Sequence, residues 1–246
     1  LNRIFPLAFL FALLAPVLAA DDPFVKAEEY FDKGKFEMAL LFYNRAIEAR
    51  PDNVRAYFNR GRIRLYNKDF ASAESDFKRV LDIEPKRTEV HYYLGCAQAG
   101  AGEGDAAVES FGRVPKKDKN YASVFLNLGN VHLALRKDKD QTIVNWEKFL
   151  ELRPEDEQAE NIRKALICLK DPNCWETVLA ALNNASAGTN ATGPGSGGPG
   201  TGGDAASSTN GLNLPDFFMP DIQGEGSKAD VSKQKSSEGK KSIQTE

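Results

Sequence analysis

Small and aromatic positions recur along this chain at a fixed interval. Ala39, Ala73 and Ala107 lie 34 residues apart, as do Tyr43, Phe77 and Phe111, and then Ala46, Val80 and Val114. Gly61, Gly95 and Gly129 keep the same interval, and so do Tyr57, His91 and Phe125. Pro51 and Pro85 close the first two units, and Pro154 closes a fourth after a one-residue insertion in "RKDKDQ". A period of this length predicts helical hairpins stacked on one another. Glycine lets two helices approach closely, alanine sits at their crossing, and the aromatic fills the space between neighbours. Proline ends the second helix of a unit because it lacks the N–H that a helix interior needs.

Two more helices are predicted beyond the repeats. In "EDEQAENIRKALICL", Ala159, Ile162, Ala165, Leu166 and Leu169 form one apolar stripe. The turn "KDPN" stops that helix and Asn173 is the expected cap of the next, where Trp175, Val178, Leu179 and Leu182 recur at helical spacing. The end of a repeat stack would otherwise expose its apolar face, so residues 155–185 are expected to cap it.

The quoted pattern resembles the tetratricopeptide repeat family. "AYFNRGRIRLYNKDFASAESDFKRVLDIEP" and "HYYLGCAQAGAGEGDAAVESF" match it well, and the resemblance covers roughly residues 22–154 as four units. The first unit has Ala27 where glycine is usual. The third lacks the closing proline and carries Pro115, expected inside the last turn of its second helix. The fourth has Trp146 at the aromatic position and Thr142 where alanine is expected. The resemblance implies an all-α fold: a right-handed superhelical stack of helical hairpins with C-terminal capping helices. It also implies that one face of each first helix lines a concave groove.

The stretch "VRAYFNRGRIRLYNK" packs four arginines into about three helical turns. On a helix, Arg55, Asn59, Arg62 and Tyr66 share a narrow stripe flanked by Phe58 and Leu65, while Arg60 and Arg64 lie on the opposite side. By the resemblance the stripe faces the groove. Arg60 and Arg64 occupy positions that are commonly apolar, so their stems are expected to cover neighbouring helices with the guanidinium heads in solvent. The other units add Phe24, Glu28 and Phe31, then Tyr92, Tyr93 and Cys96, then Leu126, Asn127, Asn130 and Leu133. Aromatics beside arginines, with asparagines able to clasp a peptide backbone, suit an extended segment of a protein partner. For Phe24, Phe58 and Leu126, simple burial against neighbouring helices is an equal alternative. Family members that bind acidic chaperone tails use a Lys/Asn/Lys/Arg clamp. Here Phe24, Glu28 and Glu89 stand at three of its positions and only Asn59 matches, so that activity is not expected.

Outside the repeats the composition changes. "LNRIFPLAFLFALLAPVLAA", residues 1–20, carries one charge and ends in small residues before Asp21 and Asp22. It is expected to be a secretory signal cleaved after Ala19 or Ala20, which places the protein in the periplasm or outside the cell; uncleaved, it would be a membrane anchor. Residues 186–246 are a Gly/Ser-rich linker and polar tail expected to be disordered. The apolar island 212–222, "LNLPDFFMPDI", interrupts them with Phe217, Phe218 and Met219. It could fold back into the groove, dock in that of another copy, or recognise an unrelated protein, and the residues leave these open. Asn184 and Asn190 fit the glycosylation pattern, which matters only in a eukaryotic secretory pathway.

Charge and chemistry narrow the function. Lys+Arg is 32 against Asp+Glu 35, a net charge of −3, which argues against nucleic acid as the partner of the arginine cluster. No metalloprotease, nucleophile-elbow or phosphate-loop motif is present. His91 and His132 fall on packing faces, and Cys96 has no orienting partner, so no catalytic, metal or cofactor site is expected. Cys168 and Cys174 flank the turn between the capping helices; in an exported protein they are expected to pair, the alternative being two reduced, buried cysteines. The expected function is a non-enzymatic scaffold or adaptor of the cell envelope that binds a partner in its groove. The alternative is a small-ligand-binding accessory of an envelope transport or assembly complex, which would need a closed apolar cavity.

Overall fold

The structure, a computed structural model, describes residues 22–188, with side chains through Asn183. The signal segment, the Asn184 side chain, Asn190 and the tail motif Phe217, Phe218 and Met219 lie outside the described residues. The described residues form ten α-helices and one π-helical turn, with no strand among them. They divide into two units, one ending at Arg87 and the other beginning at Thr88.

The first unit holds α1 (Pro23–Asp32), α2 (Phe36–Ala49), α3 (Val54–Tyr66) and α4 (Phe70–Ile83). Each helix packs on the next along the chain. Caps written in the sequence set their starts. Asp22 accepts a hydrogen bond from the Phe24 N–H at 2.8 Å, with Pro23 in the first helical position. Asn53 does the same for Ala56 at 3.1 Å, and Asp69 for Ser72 at 3.3 Å. The second unit holds α5 (Val90–Gly100), α6 (Gly104–Gly112), α7 (Tyr121–Val131) with the π turn His132–Arg136, α8 (Lys139–Leu152), α9 (Ala159–Lys170) and α10 (Pro172–Gly188).

The 34-residue period has a direct steric cause. A Cβ built on Gly61 would lie 2.8 Å from the Phe77 ring, on Gly95 2.7 Å from Phe111, and on Gly129 2.2 Å from Trp146. Each glycine is thus a notch that seats the aromatic of the following helix. Tyr43, Phe77, Phe111 and Trp146 are all fully buried or nearly so. The turns obey the same period. Gly34, Lys68, Gly102 and Lys137 each adopt a positive φ, between 54° and 84°, where the first helix of a hairpin gives way to the second. The residue inserted ahead of Trp146 is taken up by the π turn, which accommodates one more residue than an α-helical turn and lets the aromatic return to its notch.

Two expectations are corrected in the second unit. Helix α6 ends at Gly112, so Pro115 lies in the turn beyond it, consistent with the restriction proline places on the preceding residue. Asp171, not Asn173, caps α10: its carboxylate accepts the Asn173 N–H at 2.8 Å, and Pro172 takes the first helical position. The stripe Ala159, Ile162, Ala165, Leu166 and Leu169 is buried against Trp146, Phe149 and Val178. Cys168 and Cys174 are disulfide-bonded, with Cα atoms 5.3 Å apart. Closing so short a loop stabilises the joined helices by about 2 kcal/mol in the chain-entropy picture. Cys174→Ser should therefore accelerate amide exchange in α10 by up to about thirtyfold while leaving α5 and α6 unchanged, as read by hydrogen–deuterium exchange. Uniform loss of protection across the second unit would contradict a local role.

Candidate partner-binding face

The stripe foreseen on α3 is organised from α1. Glu28, on α1, is the hub: its carboxylate accepts hydrogen bonds from Asn59 Nδ2 at 2.7 Å, from Arg55 Nη2 at 2.6 Å and from the Tyr43 hydroxyl. This places a buried tyrosine, an asparagine and an arginine on one acid, and burial followed by the bond to Glu28 pushes the Tyr43 phenol far above its ordinary range. Arg55 pairs with Glu28 yet keeps 64% of its side chain exposed.

Beside this hub runs a ladder of arginines on phenylalanine faces. Arg55 lies over Phe24 at 5.0 Å, Arg62 over Phe31 at 5.1 Å and over Phe58 at 5.8 Å, and Arg87 over Phe58 at 4.9 Å. Each such contact contributes about 0.5–1 kcal/mol at an exposed site and more when desolvated. Phe31 packs against Phe36, and Phe36 against Tyr66 at 5.3 Å. Tyr66 itself is 53% exposed. The surface offers apolar ring area, the exposed guanidinium of Arg55, the half-buried ones of Arg62 and Arg87, and one exposed tyrosine. It can grip an acidic, aromatic-bearing chain by charge and stacking together, and the described residues around it present no nucleophile–base pair.

The remaining arginines do something else. The expectation that Arg60 and Arg64 reach solvent is corrected: both turn inward onto Asp76 of α4, which is 2% exposed. Arg60 donates to both Asp76 oxygens, at 2.6 and 3.0 Å, and Arg64 Nη1 donates at 2.8 Å. Arg60 also donates to Asn44 Oδ1 at 2.7 Å. The sequence marked the acid but not its partners: Asp76 interrupts the buried set Ala73, Phe77 and Val80 on the inner face of its helix.

In the second unit the expected groove residues are corrected as well. Tyr92, Tyr93, Asn127 and Asn130 are all buried, and so are Cys96, Leu126 and Leu133. Tyr92 packs against Tyr93 and Phe111. Asn127 Nδ2 donates to the Tyr92 hydroxyl at 3.5 Å and to Cys96 Sγ at 3.3 Å, and Asn130 accepts the Trp146 indole N–H at 3.1 Å. These polar groups serve the interior, where an unpaired donor or acceptor is costly. Burial pushes the Cys96 thiol up to about 12, which makes it a poor nucleophile.

His91 and His132 are buried too, and burial lowers both pKa values, helped by Arg113 and Arg136 respectively. An unfolded histidine binds its proton near pH 6.5, and these folded ones bind it only at lower pH. Their contribution is therefore constant above about pH 6.5, becomes destabilising as pH falls through that value, and levels off below the folded pKa. Melting of the full chain should drop between pH 7.5 and 5.5, and His91→Gln with His132→Gln should flatten that drop. An unchanged slope in the double variant would assign it to other groups.

The comparisons with known proteins agree with this geometry. The profile of the family described as TPR repeat matches residues 27–68, and that described as tetratricopeptide repeat matches residues 64–128. The chain is similar to the mouse E3 ubiquitin-protein ligase TTC3, 34% identical over 113 residues, which is 46% of this chain and 6% of that protein. It is similar to the tetratricopeptide repeat and J domain-containing co-chaperone DNJ1 of Fusarium oxysporum, 31% identical over 109 residues, 44% of this chain and 20% of that one. Human Superkiller complex protein 3 is 28% identical over 174 residues, 67% of this chain and 11% of its own length. The chain thus matches only a small part of each of these longer relatives. Among solved structures, the crystal structure of MamA protein aligns with a TM-score of 0.53 at 21% identity, over 70% of this chain and 96% of that one. A tetratricopeptide repeat protein from Parabacteroides merdae aligns with a TM-score of 0.52 at 15% identity, over 69% and 67%. At such identities the likeness concerns the fold alone. With glycine notches, seated aromatics and two matching profiles, residues 27–128 of the chain form tetratricopeptide repeats.

Proposed function

We propose that the protein is a non-enzymatic interaction scaffold of the cell envelope, whose first unit receives an extended segment of a protein partner. The observation that carries this is the arginine–phenylalanine ladder ending in exposed Arg55 and Tyr66. Aromatic and arginine side chains supply most of the binding energy in protein interfaces, and charges on such a face steer encounter. Residues 1–20 act as the export signal in this reading. The Cys168–Cys174 bond is in keeping with an oxidising compartment. Binding shifts to the first unit because the groove residues expected in the second are interior.

The test is photo-cross-linking in cells, with benzoyl-phenylalanine placed at position 66 and, as a control, at position 167, where Ile167 is exposed on α9. A protein captured from position 66, missed from 167, and reduced at least about tenfold by Arg55→Glu supports the reading. Equal capture from both positions moves the function off this face. Capture of nothing from either favours a small apolar ligand.

A further inference from the structure

We propose that the face of the first unit is the docking site for this chain's own segment 212–222, so that the protein carries a built-in competitor for its partner. The inference rests on the reading that this face is the binding surface, and names the sequence class it selects. The ladder carries Arg55, Arg62 and Arg87 on the faces of Phe24, Phe31 and Phe58. Glu28 pairs with Arg55, which stays 64% exposed, and Glu84 pairs with Arg87. Glu28 is further committed to Tyr43 and Asn59. An exposed arginine among guanidinium-capped rings favours a chain that brings aromatic or thioether groups together with carboxylates.

"LNLPDFFMPDI" has that composition. Phe217, Phe218 and Met219 stand between Asp216 and Asp221, with Pro215 and Pro220 just ahead of the two acids. Proline has no N–H and holds its own φ near that of an extended left-handed helix, so such a segment loses little entropy on docking in extended form. In that form the two carboxylates lie about 15 Å apart. Arg55 and Arg62 are separated by about 10 Å along α3, and their long side chains can span the difference. One acid can reach Arg55 and the other Arg62 while the aromatics between them meet Phe31, Phe58 and Tyr66. Arg–carboxylate pairs of this kind are charge-assisted and directional.

The chain between the end of α10 and the segment, residues 189–211, is 23 residues long, with a full reach of about 75 Å.

The experiment uses the purified full-length protein alone, with benzoyl-phenylalanine at position 66, irradiated at low micromolar concentration and sequenced by mass spectrometry. The expected product is monomeric, joins position 66 to a residue within 212–222, and falls about tenfold or more with Phe217→Ser plus Phe218→Ser or with Asp216→Lys plus Asp221→Lys. These substitutions lie outside the described residues. Absence of any cross-link to 212–222 overturns the proposal, and so does a product found only in dimers, which would assign the segment to a second copy. Partner capture in cells that persists while the tail cross-link is absent sinks this inference and leaves the scaffold reading standing. A tail cross-link without partner capture supports docking of 212–222 but overturns the scaffold reading and, with it, the competitor role.

Discussion

Replacing Asp76 by alanine will destabilise the first unit by about 3–5 kcal/mol, the cost of leaving buried charges without their counterion. Asp76 is 2% exposed and receives three hydrogen bonds from two guanidinium groups. Besides Asp76, Arg60 and Arg64 keep Asn44, the Tyr57 ring and the Ser72 carbonyl, none of which carries a negative charge. Their side chains are 13% and 24% exposed, so water can recover little of the lost solvation. For a unit of 66 described residues, 22–87, the loss corresponds to a fall in melting temperature of about 12–40 °C. Asp76→Asn keeps the shape and removes the charge, and should cost less. The triple replacement Arg60→Met, Arg64→Met, Asp76→Leu should be close to neutral, because a buried ion network returns little over an apolar cluster of similar volume. Circular dichroism melts of the full chain decide the matter. A D76A variant within about 1 kcal/mol of wild type would mean that water or rearrangement relieves the arginines.

The second large effect belongs to Trp146, and its diagnostic is a reversal of sign. Trp146→Ala should cost about 3–5 kcal/mol, since the indole is fully buried and seated in the Gly129 notch. Gly129→Ala should by itself cost about 1–3 kcal/mol, because its new Cβ would sit 2.2 Å from Trp146 Cδ1. The bond from the Trp146 N–H to Asn130 resists any move of the ring. In the Trp146→Ala background the obstacle is gone and only the helical preference for alanine over glycine remains, worth about 1 kcal/mol in the opposite direction. The same substitution should then be neutral or stabilising. A double-mutant cycle by urea unfolding measures the coupling, and additive costs would mean that notch and ring do not depend on each other.

These two sites also show what could be read from the residues. The notch and its aromatic were legible because a steric requirement repeats: where a helix must come within contact of a ring, only glycine fits, and the interval of 34 repeats it at Gly61, Gly95 and Gly129. The fate of the four arginines was only half legible. Helical phase correctly separated Arg55 and Arg62 from Arg60 and Arg64. It could not show that Asp76, on the following helix, would draw the second pair inward. Nor could it show that Glu28 would claim Arg55 and Asn59 from 27 and 31 residues away.

The same limit accounts for the groove residues of the second unit. Tyr92, Tyr93, Asn127 and Asn130 stand at positions that the helical phase shares with Phe58, Asn59 and Arg62, yet they are interior. Phase specifies the direction a side chain leaves its helix, whereas burial depends on what stands opposite. For Tyr92 that is Phe111, for Asn127 the Cys96 sulfur, and for Asn130 the Trp146 indole. The sequence by itself determined helix, hairpin and repeat, because these follow from local periodicity, capping and the space a glycine leaves. Only the tertiary structure decided which polar groups are surface and which are core. Desolvation and pairing act between residues far apart in sequence, and no short-range pattern encodes them.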